Sequence, residues 1–183
     1  GGSGADTMNG GDGLLDIASY ASASSGIELH LGTPANGVGD ALGDVLIDIE
    51  KIIGSALADT FIAGGNKSDY IYDGGSDNDT VSFIGSSGAV TVSLSAGTST
   101  GSAAQGATYF SIENLIGSDH ADSLQGSSAA NNNAISLSSD GKNLYVSAND
   151  NAQLRVYQRD ALGALSPGVV IRSNFYAFYG SSA

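Results

Sequence analysis

The chain has no cysteine, no tryptophan, one methionine and two prolines in 183 residues. Without cysteine there is no disulfide framework and no thiolate metal site. No apolar run approaches the roughly 18 residues needed to cross a membrane. The chain opens on Gly-Gly-Ser-Gly, with no initiator Met, basic n-region or apolar h-region. This start reads as a piece of a longer protein. Cations are scarce and unevenly placed. Residues 1–133 hold only Lys51 and Lys67 against 16 Asp and Glu, a formal net of −14. Residues 134–183 hold four cations against three acids, a net of +1. The acidic block repels nucleic acid and anionic lipid, and it repels itself unless cations neutralise it.

What is abundant is glycine, 27 residues in all, and it is ordered. Segment 1–63 lies over segment 64–126 without a gap. Asp6 falls on Asp69, Asp16 on Asp79 and Asp59 on Asp122. Ile27-Leu29-Leu31 falls on Val90-Val92-Leu94, Ile49-Glu50 on Ile112-Glu113, and Gly54-Ser55 on Gly117-Ser118. A fixed period of this kind marks a repeat architecture. Within it a shorter motif starts at Gly1, Gly11, Gly54, Gly64, Gly74 and Gly117. Its sixth place is Asp6, Asp16, Asp59, Asp69, Asp79 or Asp122, and its eighth is apolar: Met8, Ala18, Phe61, Ile71, Val81 or Leu124. The motif reads as a turn followed by a very short strand whose apolar residue points inward. Between the turns, 27–31 and 90–94 alternate apolar and polar residues, as half-buried strands do. Segments 45–53 and 108–116 are apolar-rich. Loops 32–44 and 95–107 share almost nothing. No segment has sustained helical periodicity, so the expected fold is all-β, a β-solenoid of stacked coils.

The repeat stops near position 127. Residues 127–133 read as a linker. From 134 to 171 short apolar strands alternate with Asp-Gly and Asn-Asp turns, the pattern of an antiparallel β-meander. Residues 172–183 form a tail.

Glycine-rich turns expose carbonyls and their aspartates add carboxylates, an oxygen-only donor set that suits a hard cation such as calcium. Gly and Asp are also ordinary turn residues, but the fixed place of the acid in six copies favours the cation. Here the chain resembles a known family. Gly-Gly-x-Gly-x-Asp-x-apolar-x is the calcium-binding nonapeptide of RTX (repeats-in-toxin, haemolysin-type) proteins. Residues 1–9 match it fully; 64–72 and 74–82 match except at the third glycine, where Lys67 and Asp77 stand. The resemblance covers 1–126 and implies a parallel β-roll, export from a bacterium, an extracellular or cell-surface location, and folding driven by Ca2+. By position it implies metal ligation by Asp6, Asp16, Asp59, Asp69, Asp79 and Asp122. Gly1, Gly2, Gly4, Gly64, Gly65, Gly74 and Gly75 would join them through carbonyls, with Asp77. Motif starts at 54, 64 and 74 step by ten rather than nine, and Lys67 puts a cation where a metal wants none. Few sites are therefore expected, foremost between turns 54–62 and 74–82. Residues 134–171 resemble one blade of a lactonase-like seven-bladed β-propeller.

Catalytic candidates are weak. Gly97-Thr-Ser-Thr-Gly101 spells a nucleophile elbow around Ser99 but lacks the helix that motif requires. His30 and His120, the only imidazoles, occupy different repeat places and read as solvated. The expectation is a non-enzymatic calcium-binding module of a secreted bacterial protein. The alternatives are an export and stability segment of an extracellular enzyme, or an adhesin segment with a carbohydrate or protein partner.

Overall fold

The computed structural model describes residues 1–64 and 67–126, and in the remainder the backbone pairing of four strands. Gly65, most of the expected linker and the tail beyond Arg172 lie outside the described residues. The first unit contributes six very short strands: β1 (Thr7–Asn9), β2 (Ile17–Ser19), β3 (Glu28–His30), β4 (Val45–Ile47), β5 (Lys51–Ile53) and β6 (Thr60–Ile62). The second contributes β7 (Ile71–Asp73), β8 (Thr80–Ser82), β9 (Thr91–Ser93), β10 (Thr98–Thr100), β11 (Thr108–Phe110), β12 (Asn114–Ile116) and β13 (Ser123–Gln125). Among the described residues there is no α-helix, only short 3-10 turns at 34–36, 39–41 and 102–104.

Apart from β10, these strands pair in parallel, one coil upon the next. Strand β4 stacks on β1; β2, β5, β7 and β11 form one sheet; β3, β6, β8 and β12 form another; and β13 stacks on β9, with β10 antiparallel on the other side of β9. In most coils a long path separates the stacked partners: Thr7 faces Val45, Ile71 faces Thr108, and Thr91 faces Ser123. The middle coil is shorter, with Lys51 facing Ile71 and Thr60 facing Thr80. The architecture is all-β with parallel sheets, as the stacked repeat implies.

Each strand is short because a turn interrupts it almost at once, and its central side chain is the one that faces the core. Down one sheet this column is Ala18, Ile52, Tyr72 and Tyr109; down the next it is Leu29, Phe61, Val81 and Leu115. Val92 and Leu124 form a third. Full burial of side chains this size contributes about 1.5–3 kcal/mol each. The Tyr72 ring stacks on Tyr109 at 5.8 Å between centroids and an 8° interplanar angle, and tilts against Phe61 and Tyr70. Burial pushes the Tyr109 hydroxyl up to about 12 and raises Tyr72 well above its ordinary value.

One expectation is corrected. Ile71 does not point inward: β7 buries Tyr72 instead, and Ile71 sits on the outer face. Side chains alternate along a strand, so a slip of one place exchanges inside for outside. The apolar-rich segments 45–53 and 108–116 each hold two short strands, β4 with β5 and β11 with β12. Each breaks at a left-handed residue, Asp48 or Ser111, both at φ 49°, which turns the chain from one sheet to the next.

Residues 133–172 contain four antiparallel strands, β14 (Asn133–Leu137), β15 (Asn143–Ala148), β16 (Gln153–Arg159) and β17 (Leu165–Arg172). They pair in sequence order, a meander, with an irregularity between Arg155 and Tyr157.

Candidate cation-binding corners

The acids meet at the corners where each strand begins. In six places the residue just before a strand donates its backbone N–H to a carboxylate. That carboxylate belongs to the residue just before the strand stacked above. Asp6 N–H reaches Asp44 Oδ1 at 2.8 Å, and Asp16 N–H reaches Glu50 Oε2 at 2.9 Å. Ile27 N–H reaches Asp59 Oδ1 and Asp59 N–H reaches Asp79 Oδ1, both at 2.8 Å. Asp79 N–H reaches Glu113 Oε2 at 2.9 Å, and Val90 N–H reaches Asp122 Oδ1 at 2.8 Å. The carboxylates thus form columns that satisfy corner N–H groups between coils, where a buried donor left unpaired is costly.

The second carboxylate oxygen closes the acid's own turn. Gly2 N–H donates to Asp6 Oδ2 at 3.0 Å, Ser55 N–H to Asp59 Oδ2 at 2.5 Å, and Ser118 N–H to Asp122 Oδ2 at 2.6 Å. The hydroxyls of Ser55 and Ser118 donate to the first oxygen of the same acids. Asp59 and Asp122, equivalent places of the two repeats, are therefore held by matching bonds. This packing dictates the first glycine of the motif. A Cβ on Gly54, Gly74 or Gly117 would lie 2.3 Å from Oδ2 of Asp59, Asp79 or Asp122 respectively. On Gly1 it would lie 2.5 Å from Asp44 Oδ2.

Two other repeat-related corners differ. Asp16 and Asp79 each leave Oδ2 buried with no hydrogen-bond partner. A Cβ built on Gly74 would fall 2.2 Å from the Ser111 carbonyl oxygen and 2.3 Å from Asp79 Oδ2, so both oxygens crowd one space. The first copy is built differently: a Cβ on Gly10 would meet the Asp48 carbonyl oxygen at 2.1 Å and Asp16 Cβ at 2.4 Å, while the free Asp16 Oδ2 lies 2.2 Å from a Cβ on Gly13. Burial, and then the neighbouring carboxylates of Asp59, Glu113 and Asp77, raise the Asp79 carboxyl to about 6; the N–H from Asp59 opposes them. At Asp79 two oxygen acceptors thus share one space, a donor set that fits a hard cation.

The remaining candidates fall apart from these corners. Asp69 is not folded over its glycine: its side chain is 65% exposed and lies 3.6 Å from Lys67 Nζ. A Cβ on Gly64 would meet nothing closer than 3.6 Å. Gly4 and Gly75 hold left-handed turns at φ 113° and 99°, and Asp77 does the same at 77°, exposed and capping Asn78 N–H. Gly2 lies in the open turn capped by Asp6. Among the described residues no three His, Asp or Glu gather closely enough to hold a metal by side chains alone. Asp44, Glu50 and Glu113 join the corners although none holds the sixth place of the motif. The recurrence of Ile49-Glu50 as Ile112-Glu113 is the sequence signal for two of them.

Ser99 lies within β10, with its hydroxyl buried and donating to the Ala107 carbonyl, so it is not the apex of a strand-to-helix turn. His30 is paired with Glu28 and only 16% exposed, a correction to its reading as solvated. His120 is exposed. No helix among the described residues is long and apolar enough to cross a membrane. No family model matches the chain, and neither a curated protein nor a solved structure matches it.

Proposed function

We propose that residues 1–126 are an RTX-like β-roll, a structural module of a secreted bacterial protein that is stabilised by Ca2+ at a small number of glycine–aspartate corners. The observation that carries this reading is the pair of orphaned carboxylate oxygens. Asp16 and Asp79 occupy equivalent places in the two repeats, and each turns a buried oxygen toward a crowded glycine corner with no donor in reach. The carbonyl oxygen of Ser111 completes the set at Asp79, while the free oxygen of Asp16 crowds Gly13. Bound calcium supplies positive charge that the carboxylates lack, which couples metal binding to folding. Asp59, Asp122 and Asp6 are spent on backbone N–H groups and contribute order rather than ligation. Dissociation constants of roughly 10⁻⁴–10⁻³ M suit extracellular modules of this kind. The meander of β14–β17 has the strand order of a propeller blade and is assigned to a second, adjoining module.

A metal-free solenoid is the second reading, because the columns of carboxylates give most of the acids a use that needs no ion. Thermal unfolding by circular dichroism in EDTA and in millimolar calcium separates the two, with calorimetric titration of Ca2+. The calcium reading expects a rise in Tm that Asp16→Asn with Asp79→Asn removes. An unchanged Tm with no heat of binding leaves the metal-free solenoid.

A further inference from the structure

We propose that Lys67 is the resident cation of the corner between Glu50 and Asp69, its ammonium standing where a divalent ion would sit. The proposal rests on the calcium reading above only in taking repeat corners as places for cations. Lys67 occupies the fourth place of its motif, which is Gly4 in the first copy and left-handed there at φ 113°. Its Nζ lies 2.8 Å from Glu50 Oε1 and 3.6 Å from Asp69 Oδ1. The same Glu50 spends its other oxygen, Oε2, on the Asp16 N–H of the coil below. One tethered charge therefore joins acids of two successive coils, the task of an inter-coil metal ion. The ammonium also lies 5.7 Å from the centre of the Tyr70 ring, a favourable cation–π position. Lys67 holds the Glu50 carboxyl below its ordinary range, and Glu50 raises Lys67.

The second repeat supplies an internal control. Glu113 is the counterpart of Glu50 in that repeat and accepts the Asp79 N–H in the same way. Among the described residues no ammonium reaches it. The place 63 residues on from Lys67 is Ala130, so the lysine at 67 distinguishes two otherwise equivalent glutamates, and it makes the Glu50 corner independent of metal.

The test uses the full 183-residue chain, wild type and Lys67→Gln, unfolded thermally in EDTA and in millimolar CaCl2. Choline chloride at matched ionic strength serves as the control. In EDTA the variant melts about 2–4 °C lower, the shift expected for a loss near 1 kcal/mol in a chain of this size. Calcium restores that loss, so the calcium-induced rise is larger in the variant than in wild type, and titration calorimetry finds an additional Ca2+ bound. A variant that melts lower by the same amount in both conditions shows an ordinary salt bridge and overturns the proposal. So does a variant that melts like wild type in EDTA. The wild-type rise reports separately on the other corners. If wild type ignores calcium while Lys67→Gln responds, the resident cation stands and calcium stabilisation of the native module falls.

Discussion

Residues 1–63 and 64–126 carry the same strands in the same order, yet they are not stacked like upon like. Strands β1–β6 recur in the second unit as β7, β8, β9, β11, β12 and β13, allowing for a slip of one place at β7. In space β7 pairs with β5, and β8 with β6, so the second unit sits one sheet further round than the first. The repeat of the chain is thus not the repeat of the stack. Eight residues separate β6 from β7, against fourteen between β3 and β4. The coil with the shorter link runs from Thr60 to Thr80, where the first runs from Thr7 to Val45 and the last from Thr91 to Ser123. The two units also differ in what neutralises their corners. The acid columns at Asp59 and Asp122 are copied bond for bond. Asp69 departs from Asp6: its side chain is exposed and faces Lys67. Repetition fixed the common scaffold, and the short link and Lys67 mark where the two units part.

The sharpest way to break this comparison is at the slip. If Tyr72 has replaced Ile71 as the inward residue, Tyr72→Ala removes an aromatic ring from the centre of the Phe61–Tyr70–Tyr109 cluster. A loss of about 3–5 kcal/mol is expected. Ile71→Ala, on the outer face, costs about 1 kcal/mol or less. Urea unfolding of both variants checks it; reversed costs would place β7 in the register of β1.

The glycines offer the next contrast. Gly74→Ala sets a methyl group 2.2 Å from the Ser111 carbonyl and 2.3 Å from Asp79 Oδ2. Backbone and carboxylate must both move, and a loss of about 3 kcal/mol follows. Gly64→Ala, at the same motif place, meets only ordinary contacts at 3.6 Å. It leaves stability within about 0.5 kcal/mol of wild type. Guanidinium unfolding curves give both values, and equal losses would show that Gly64 is bound to its acid as Gly74 is.

Much of this is legible in the sequence, because a repeat forces equivalent residues into equivalent surroundings. The central strand residues, the sixth-place acids and the all-β character all follow from period and alternation. The slip does not, since the Gly64 motif keeps its spacing while Tyr70 and Tyr72 compete with Ile71 for the interior. The breaks at Asp48 and Ser111 are also hidden, because neither residue is a glycine although both adopt positive φ. The acid columns are half visible. Spacing locates the aspartates, but only stacking shows that they accept N–H groups from another coil, and that Glu50 and Glu113 do the same.

Asp59 against Asp69 tests that lesson. Asp59→Ala leaves the N–H groups of Ile27 and Ser55 without their acceptor. Stranding buried donors costs about 2–3 kcal/mol. Asp69→Ala removes an exposed acid and costs no more than about 0.5 kcal/mol. Chemical denaturation in EDTA keeps any metal out of the measurement, and a small cost at Asp59 would reduce the acid columns to incidental contacts.

The smallest effect separates Asp79 from Asp122, which differ in whether Oδ2 has a partner. In EDTA the Asp79 carboxyl, raised from 3.8 to about 6 by burial, favours its protonated form in the folded chain. A group raised above its unfolded value lends stability below that unfolded value and loses it as pH climbs through the folded one. Its contribution, on the order of 2 kcal/mol, is therefore present near pH 4 and gone above pH 6. Asp79→Asn keeps the shape, cannot ionise, and should flatten the pH 4–6 slope of stability measured by urea unfolding. Asp122→Asn should leave that slope in place while lowering stability throughout, because an amide NH2 in place of an acceptor oxygen loses a bond that Asp122 takes from Val90 N–H, Ser118 N–H or the Ser118 hydroxyl. In millimolar calcium the wild-type slope shrinks as well, since a cation at the Asp79 corner replaces the proton. If the slope survives both Asp79→Asn and calcium, the charge of that corner is balanced elsewhere, and Asp79 and Asp122 are equivalent after all.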